Sequence, residues 1–171
     1  MANRADNLKR RTDEDHVGAG HNYMPEACMS VSGKGDADRE LLYHTDYVDI
    51  IFDKPNNLLH VCWRRSVKSH EYRDGIEETG RHLLRLDVGK LLVNNQRMGV
   101  LTMDDQGWLA KISIEVISKS HLKYLAIVSS TDALQQMTNE VLDKRVKVKA
   151  PPFITQYFLS EEDALEWLVA A

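Results

Sequence analysis

The run Leu91-Leu92-Val93, closed by Gly89-Lys90 before it and Asn94-Asn95-Gln96-Arg97 after it, constrains the fold of this chain more than any other stretch. A short apolar run with polar residues at both ends suits a strand covered on both faces of a sheet. Such a strand needs helices around it, and its flanks supply them. Ser69 to about Leu86 brings Tyr72, Ile76, Thr79, Leu83 and Leu86 together at three- and four-residue steps, with Glu71, Arg73, Asp74, Glu77, Glu78 and Arg81 filling much of the rest. Asp104 to about Ser118 repeats the pattern through Trp108, Leu109, Ile112, Val116 and Ile117. Helices alternating with buried strands predict an α/β fold.

The remaining elements extend that alternation. Tyr47 to Phe52 and Leu58 to Trp63 are rich in β-branched, aromatic and aliphatic residues, and Asp53-Lys54-Pro55-Asn56-Asn57 between them is turn chemistry, so the pair predicts a hairpin. In its second strand Leu59, Val61 and Trp63 alternate with His60, Cys62 and Arg64, which sets one face inward and leaves the other more polar. Gly75 and Gly80 mark close approach of the first helix to the strands below, and Gly89 is the expected helix-end or turn residue before the strand at Leu91. Tyr124 to Val128 is a buried strand, and Asp132 to Lys144 a helix with Leu134, Met137, Val141 and Leu142 as its apolar stripe. Pro151-Pro152 precede a last strand, Phe153 to Leu159. Ser160 with Asp163 then caps a closing helix carrying Ala164, Leu165, Trp167 and Leu168. The predicted order is ββαβαβαβα, a mixed sheet with helices packed against it.

A chain of 171 residues fits one such domain plus a tail. Residues 1–40 hold few large apolar side chains and many charges, which reads as a polar, mobile N-terminal tail, with a single domain over 41–171. His16 and His21 near Asp15 lack a third ligand at a fixed spacing, so no metal is expected there. A net charge of -4 and a pI near 6.0 argue against a nucleic-acid binder. No apolar run is long enough for stable membrane insertion, and Met1 to Arg11 does not resemble a signal peptide. Cys28 and Cys62 stand in dissimilar contexts without metal-ligand spacing, and the inference is a reducing, cytoplasmic setting.

The loop from Asn94 to Asp105 is the expected site, because helix amino termini and loop amides converge beyond the carboxyl ends of strands in open α/β sheets. Thr102 is the predicted N-cap of the following helix, and Asp104 and Asp105 oppose the positive end of its dipole. Helix-end electrostatics of that kind contribute roughly 0.3–1 kcal/mol per carboxylate. Replacing both aspartates is therefore expected to disturb folding little.

The element order and the closing stretch Phe158-Leu159-Ser160-Glu161-Glu162-Asp163-Ala164-Leu165-Glu166-Trp167-Leu168 resemble the STAS fold of anti-sigma-factor antagonists and its SpoIIAA-like relatives, over about Tyr47 to the end. The turn Met103-Asp104-Asp105-Gln106-Gly107 is similar to the antagonists' Asp, phosphorylatable Ser, small polar residue and Gly. Asp104 and Gly107 match, whereas Asp105 stands where the phosphoserine would be. The resemblance thus implies a permanent negative charge at Asp105 in place of a switch, with less charge and fewer acceptors than a phosphate. An ordinary acidic helix start is the plainer account of the same residues.

Catalysis receives no positive signal. There is no G-x-G-x-x-G, P-loop, G-x-S-x-G or zinc-spaced Cys/His set, and Glu77-Glu78 and Glu161-Glu162 are neighbours that point apart on their helices. The first expectation is a non-catalytic regulatory or interaction domain without cofactor, binding a protein partner through Asn95, Arg97, Thr102, Asp104, Asp105 and Gly107. The alternative, implied by the SpoIIAA-like group's likeness in fold to lipid-binding domains, is a carrier or sensor of a small apolar or lipid-like ligand. Met98, Leu101, Met103 and Trp108, with Val100, are its candidate cleft residues, and core packing is their plainer use. A cavity beneath the loop favours the carrier and a flat polar surface favours the partner. Asp104 or Asp105 as an enzymatic base requires a pocket that raises its pKa. Trp167 leaves a homodimer open.

Overall fold

The computed structural model describes residues 38–171. The elements run β1 (Arg39–His44), β2 (Val48–Asp53), β3 (Leu58–Trp63), α1 (Ser69–Leu86), β4 (Lys90–Asn94), α2 (Met103–Lys119), β5 (Tyr124–Val128), α3 (Ala133–Lys147), β6 (Ile154–Phe158) and α4 (Glu161–Ala170). One six-stranded sheet follows chain order from β1 to β6. Its first three strands pair antiparallel and β3 to β6 pair parallel, giving a mixed α/β sheet. The expected order lacked β1, so the described domain begins by Arg39 and not at residue 41. A bulge explains the omission: the β1–β2 register shifts between Leu41 and Tyr43. Leu41 packs toward Ile51 and Cys62, while Leu42 and Tyr43 both join the opposite core, and the period-two signal is lost. The rest of the predicted tail, including His16 and His21, lies outside the described residues.

Each parallel step, β3-α1-β4, β4-α2-β5 and β5-α3-β6, advances one strand in the same direction. Right-handed crossovers then put α1, α2 and α3 on one face. The side chains agree, since Leu59, Val61 and Trp63 share a core with Tyr72 and Leu83 of α1, Ile117 of α2 and Val146 of α3. Helix α4 lies on the other face, where Ala164, Leu165 and Leu168 bury against Leu58, Leu92, Ala126 and Val128. Both faces of β3 are buried, and the face turned toward α4 is the more polar one, with His60 beside Glu161.

Trp167 stacks at home, 5.8 Å from both the Tyr124 and Phe158 rings. Cys62 is buried and disulfide-bonded, so the cysteines lend no support to a reducing setting; Cys28 lies outside the described residues. Among the described residues no helix is long and apolar enough to cross a membrane.

Three local expectations are refined or corrected. Gly75 does approach a strand, at Trp63, but Gly80 faces Val116 of α2 and serves a helix–helix contact. The residue that ends α1 is Asp87, in the left-handed region at φ 53°, and Gly89 is the turn residue directly before β4. In α3 the buried stripe is Gln135, Asn139, Leu142 and Val146, while Leu134, Met137 and Val141 are exposed. Gln135 and Asn139 are buried because they have partners: Gln135 Nε2 donates to the Asn95 and Gly99 carbonyls at 2.9 and 3.1 Å, and Asn139 Nδ2 to Ser129 Oγ at 2.8 Å.

Candidate functional site

The loop after β4 is held from three sides. Asn95 N–H donates to the Val128 carbonyl at 2.8 Å, which continues the sheet one residue past β4. Gln96 Nε2 reaches the Leu159 carbonyl at 2.8 Å, and Gln135 of α3 clasps the loop's own carbonyls. Gly99, at φ +84°, takes a left-handed conformation in which an L side chain is strained. On the far face Asn94 Nδ2 donates to Glu161 Oε2 at 2.6 Å, and His60 Nε2 lies 3.3 Å from the same oxygen. Burial pushes the Glu161 carboxyl up, but His60 and Asn94 outweigh it and hold it below its ordinary value.

The third tie is Asp105. Thr102 is the N-cap, as predicted, its Oγ1 accepting from Asp105 N–H at 3.1 Å. The Asp105 carboxylate, however, turns inward and is 2% exposed. It accepts from Ser69 Oγ and Arg73 Nε of α1, the latter at 3.0 Å, and from Thr102 Oγ1 at 2.9 Å. Burial raises the pKa of this carboxyl, and the bonds from Ser69, Arg73 and Thr102 with the Arg73 charge more than reverse that, so it stays ionised and below the usual range. Arg73 also lies over the Trp108 ring at 5.2 Å. A lowered, fully engaged carboxylate is the opposite of a poised base.

The predicted polar site therefore divides. Arg97, Thr102 and Asp104 are exposed, Gly107 is half-buried, and Asn95 and Asp105 are buried. A permanent charge displayed at Asp105 does not match its inward position. The predicted cleft divides too: Met98 is core, Leu101 and Trp108 pack partly buried against that core, and Met103 is 79% exposed. None of these four lines the cavity between the sheet and α1, α2 and α3.

That cavity, half-open and mainly apolar, lies deeper in the molecule. It measures about 160 Å³ and lies between the sheet and α1, α2 and α3. Val93, Leu125 and Ile127 form its floor; Ile76 and Leu83 of α1, Leu109, Ile112 and Val116 of α2, and Leu142 of α3 form its roof. Mid-strand residues under three helices should be fully covered, yet Val93, Leu125 and Ile127 are each only half-buried. Its polar lining residues are mostly engaged, with Thr79 Oγ1 on the Gly75 carbonyl at 2.7 Å and Asp143 accepting from Thr155 Oγ1 at 2.6 Å and Lys147 Nζ at 2.8 Å. Of the predicted site residues, Asn95 alone lines it.

No protein-family model, curated protein or solved structure matches the chain. The chemistry of the site thus rests on its own geometry. The cavity is lined mainly by apolar side chains, with Thr79, Ser113, Asn139 and Asp143 among its polar lining residues. Sequence reasoning missed Ser69, Arg73 and Trp63. Ser69 and Arg73 share one face of α1 at i, i+4, which was visible, but nothing in the chain names their partner on another helix.

Proposed function

We propose that this chain is a non-catalytic α/β domain of STAS-like type that carries or senses a small, largely apolar ligand held between the sheet and α1 to α3. The observation that supports it is the incomplete cover over Val93, Leu125 and Ile127 above an apolar cavity of about 160 Å³. Core side chains normally pack to crystal-like density, and a void of this size forfeits contacts on every lining group. A dry apolar cavity of roughly 150 Å³ accepts benzene, so a ring-sized body is the appropriate scale. Each methylene withdrawn from water would contribute about 0.8 kcal/mol.

Partner binding at the loop is the second reading, favoured by the exposure of Met103 at 79% and Val100 at 51% beside Arg97, Thr102 and Asp104. An unburied apolar pair next to charges is the composition of an interface patch. Asp105 takes no part in that surface.

Native mass spectrometry of the purified full chain, beside its denatured mass, separates the two. Extra mass that leaves on denaturation supports the carrier or sensor. A bare mass, unchanged after incubation with toluene or benzyl alcohol, leaves the partner-binding domain.

A further inference from the structure

Two polar atoms among the cavity-lining residues have no hydrogen-bond partner among the described residues: Trp63 Nε1 and Asn95 Oδ1. Both residues are buried, at 1% and 7% exposure. They are also neighbours. The parallel register pairs Cys62 with Asn94, so Trp63 at the end of β3 and Asn95 just past β4 are the next pair along, and both line the cavity beneath α1 to α3. One is a donor only and the other an acceptor, and they do not bond each other.

Each is held where it stands. A Cβ on Gly75 would meet Trp63 Cη2 at 2.5 Å and Cζ3 at 3.0 Å, so helix α1 lies directly on the indole, and the Tyr72 ring is 5.3 Å away. Asn95 is fixed through its backbone, its N–H on Val128 and its carbonyl accepting from Met98 N–H and Gln135 Nε2. Leaving a buried donor and a buried acceptor unpaired is costly, and the cost is removed by one group that accepts from the first and donates to the second.

We infer that the ligand is an apolar molecule bearing a single hydroxyl, whose oxygen accepts from Trp63 Nε1 while its O–H donates to Asn95 Oδ1. The apolar body lies against Val93, Leu125 and Ile112. This rests on the carrier reading and adds the polar end of the ligand to it. A purely apolar molecule leaves both atoms unpaired, and a carboxylate, which only accepts, finds one donor at Trp63 Nε1 and sets its charge against the Asn95 Oδ1 acceptor.

The test is a titration of the full chain with benzyl alcohol and with toluene, followed by the tryptophan indole N–H signals in nitrogen–proton NMR spectra. Trp63→Phe assigns the Trp63 signal. The expected result is that benzyl alcohol shifts that signal downfield and toluene does not, and that the preference for benzyl alcohol over toluene falls by about tenfold in Trp63→Phe, the size of one hydrogen bond. Binding of both probes with an unmoved Trp63 signal, or with the same preference in the variant, overturns the hydroxyl inference and leaves the cavity reading intact. Binding of neither probe overturns both. Should Trp63→Phe fail to fold, the wild-type spectra decide, with Asn95→Ala as the second variant.

Discussion

Gly75 and Trp63 are in as close an approach as a glycine permits, since a methyl group at Gly75 would stand 2.5 Å from Trp63 Cη2. That contact sets the distance of α1 from β3, and so the height of one wall of the cavity. The indole cannot retreat, because it is buried on the sheet with Tyr72 beside it. Gly75→Ala is expected to destabilise the protein by about 1–3 kcal/mol, as overpacking does. Gly107 is the control. Nothing lies within 4 Å of a Cβ placed there, and it sits inside α2. Gly107→Ala should stabilise by up to about 1 kcal/mol through helix propensity. Urea unfolding of the two variants beside wild type measures both.

The adjacent aspartates should behave oppositely. Asp105→Asn exchanges a buried carboxylate, engaged by Ser69, Arg73 and Thr102, for an amide that presents a donor toward donors. The expected loss is about 1–3 kcal/mol. Asp104 is exposed, and Asp104→Asn should cost no more than about 0.5 kcal/mol of helix-end electrostatics. Equal, small effects in urea titrations would contradict the clasp between α1 and α2.

Acid should loosen α1 first. Asp74 is held low by hydrogen bonds from Tyr43 and Tyr47, at 2.5 and 2.6 Å. Arg65 is the main cause that brings Glu71 down to about 2. In Asp105 burial acts upward, and the bonds from Ser69, Arg73 and Thr102 prevail. A carboxyl with a depressed folded pKa stabilises the fold fully above its unfolded value of about 4, and that stability is lost as pH falls through the folded value. Stability should therefore be flat in these groups from neutral pH to about pH 5 and decline toward pH 2. In Asp105→Asn the decline should be shallower, read from urea midpoints across that range.

Much of this architecture was legible in the chain, for reasons that differ by element. The bounds of α1, β3 and β5 follow from periodic side chains and from the turn at Asp53 to Asn57, where Asp53 accepts from Asn56 and Asn57 has φ 49°. Strand β1 was hidden by its bulge, which destroys alternation at Leu41 to Tyr43. The inward face of α3 was hidden by polarity. Gln135 and Asn139 are buried through bonds to loop and strand groups, so apolar periodicity pointed instead to Leu134, Met137 and Val141. Asp105 looked like a displayed charge because Ser69 and Arg73 lie 36 and 32 residues away in sequence. The cavity had no local signal, since it is a space between three helices and a sheet, and its apolar lining residues read in sequence as ordinary core.

Filling the cavity should stabilise the protein and abolish ligand uptake together. Val93 is central in its floor, and Val93→Phe places a ring where a ligand's would lie. An increase of about 1 kcal/mol in unfolding free energy is expected, by recovery of buried area without strain. Toluene should then fail to raise the melting temperature of the variant, while raising that of wild type. A destabilised variant that still responds to toluene would place the probe elsewhere.

The most direct measurement is diffraction from crystals of the full chain pressurised with xenon, which enters dry apolar cavities without any polar recognition. The expected result is xenon density between α2 and the sheet, in contact with Val93, Ile112 and Leu125. Crystals that take up xenon elsewhere or nowhere, with these side chains closed against one another, would contradict the cavity on which the proposed function stands.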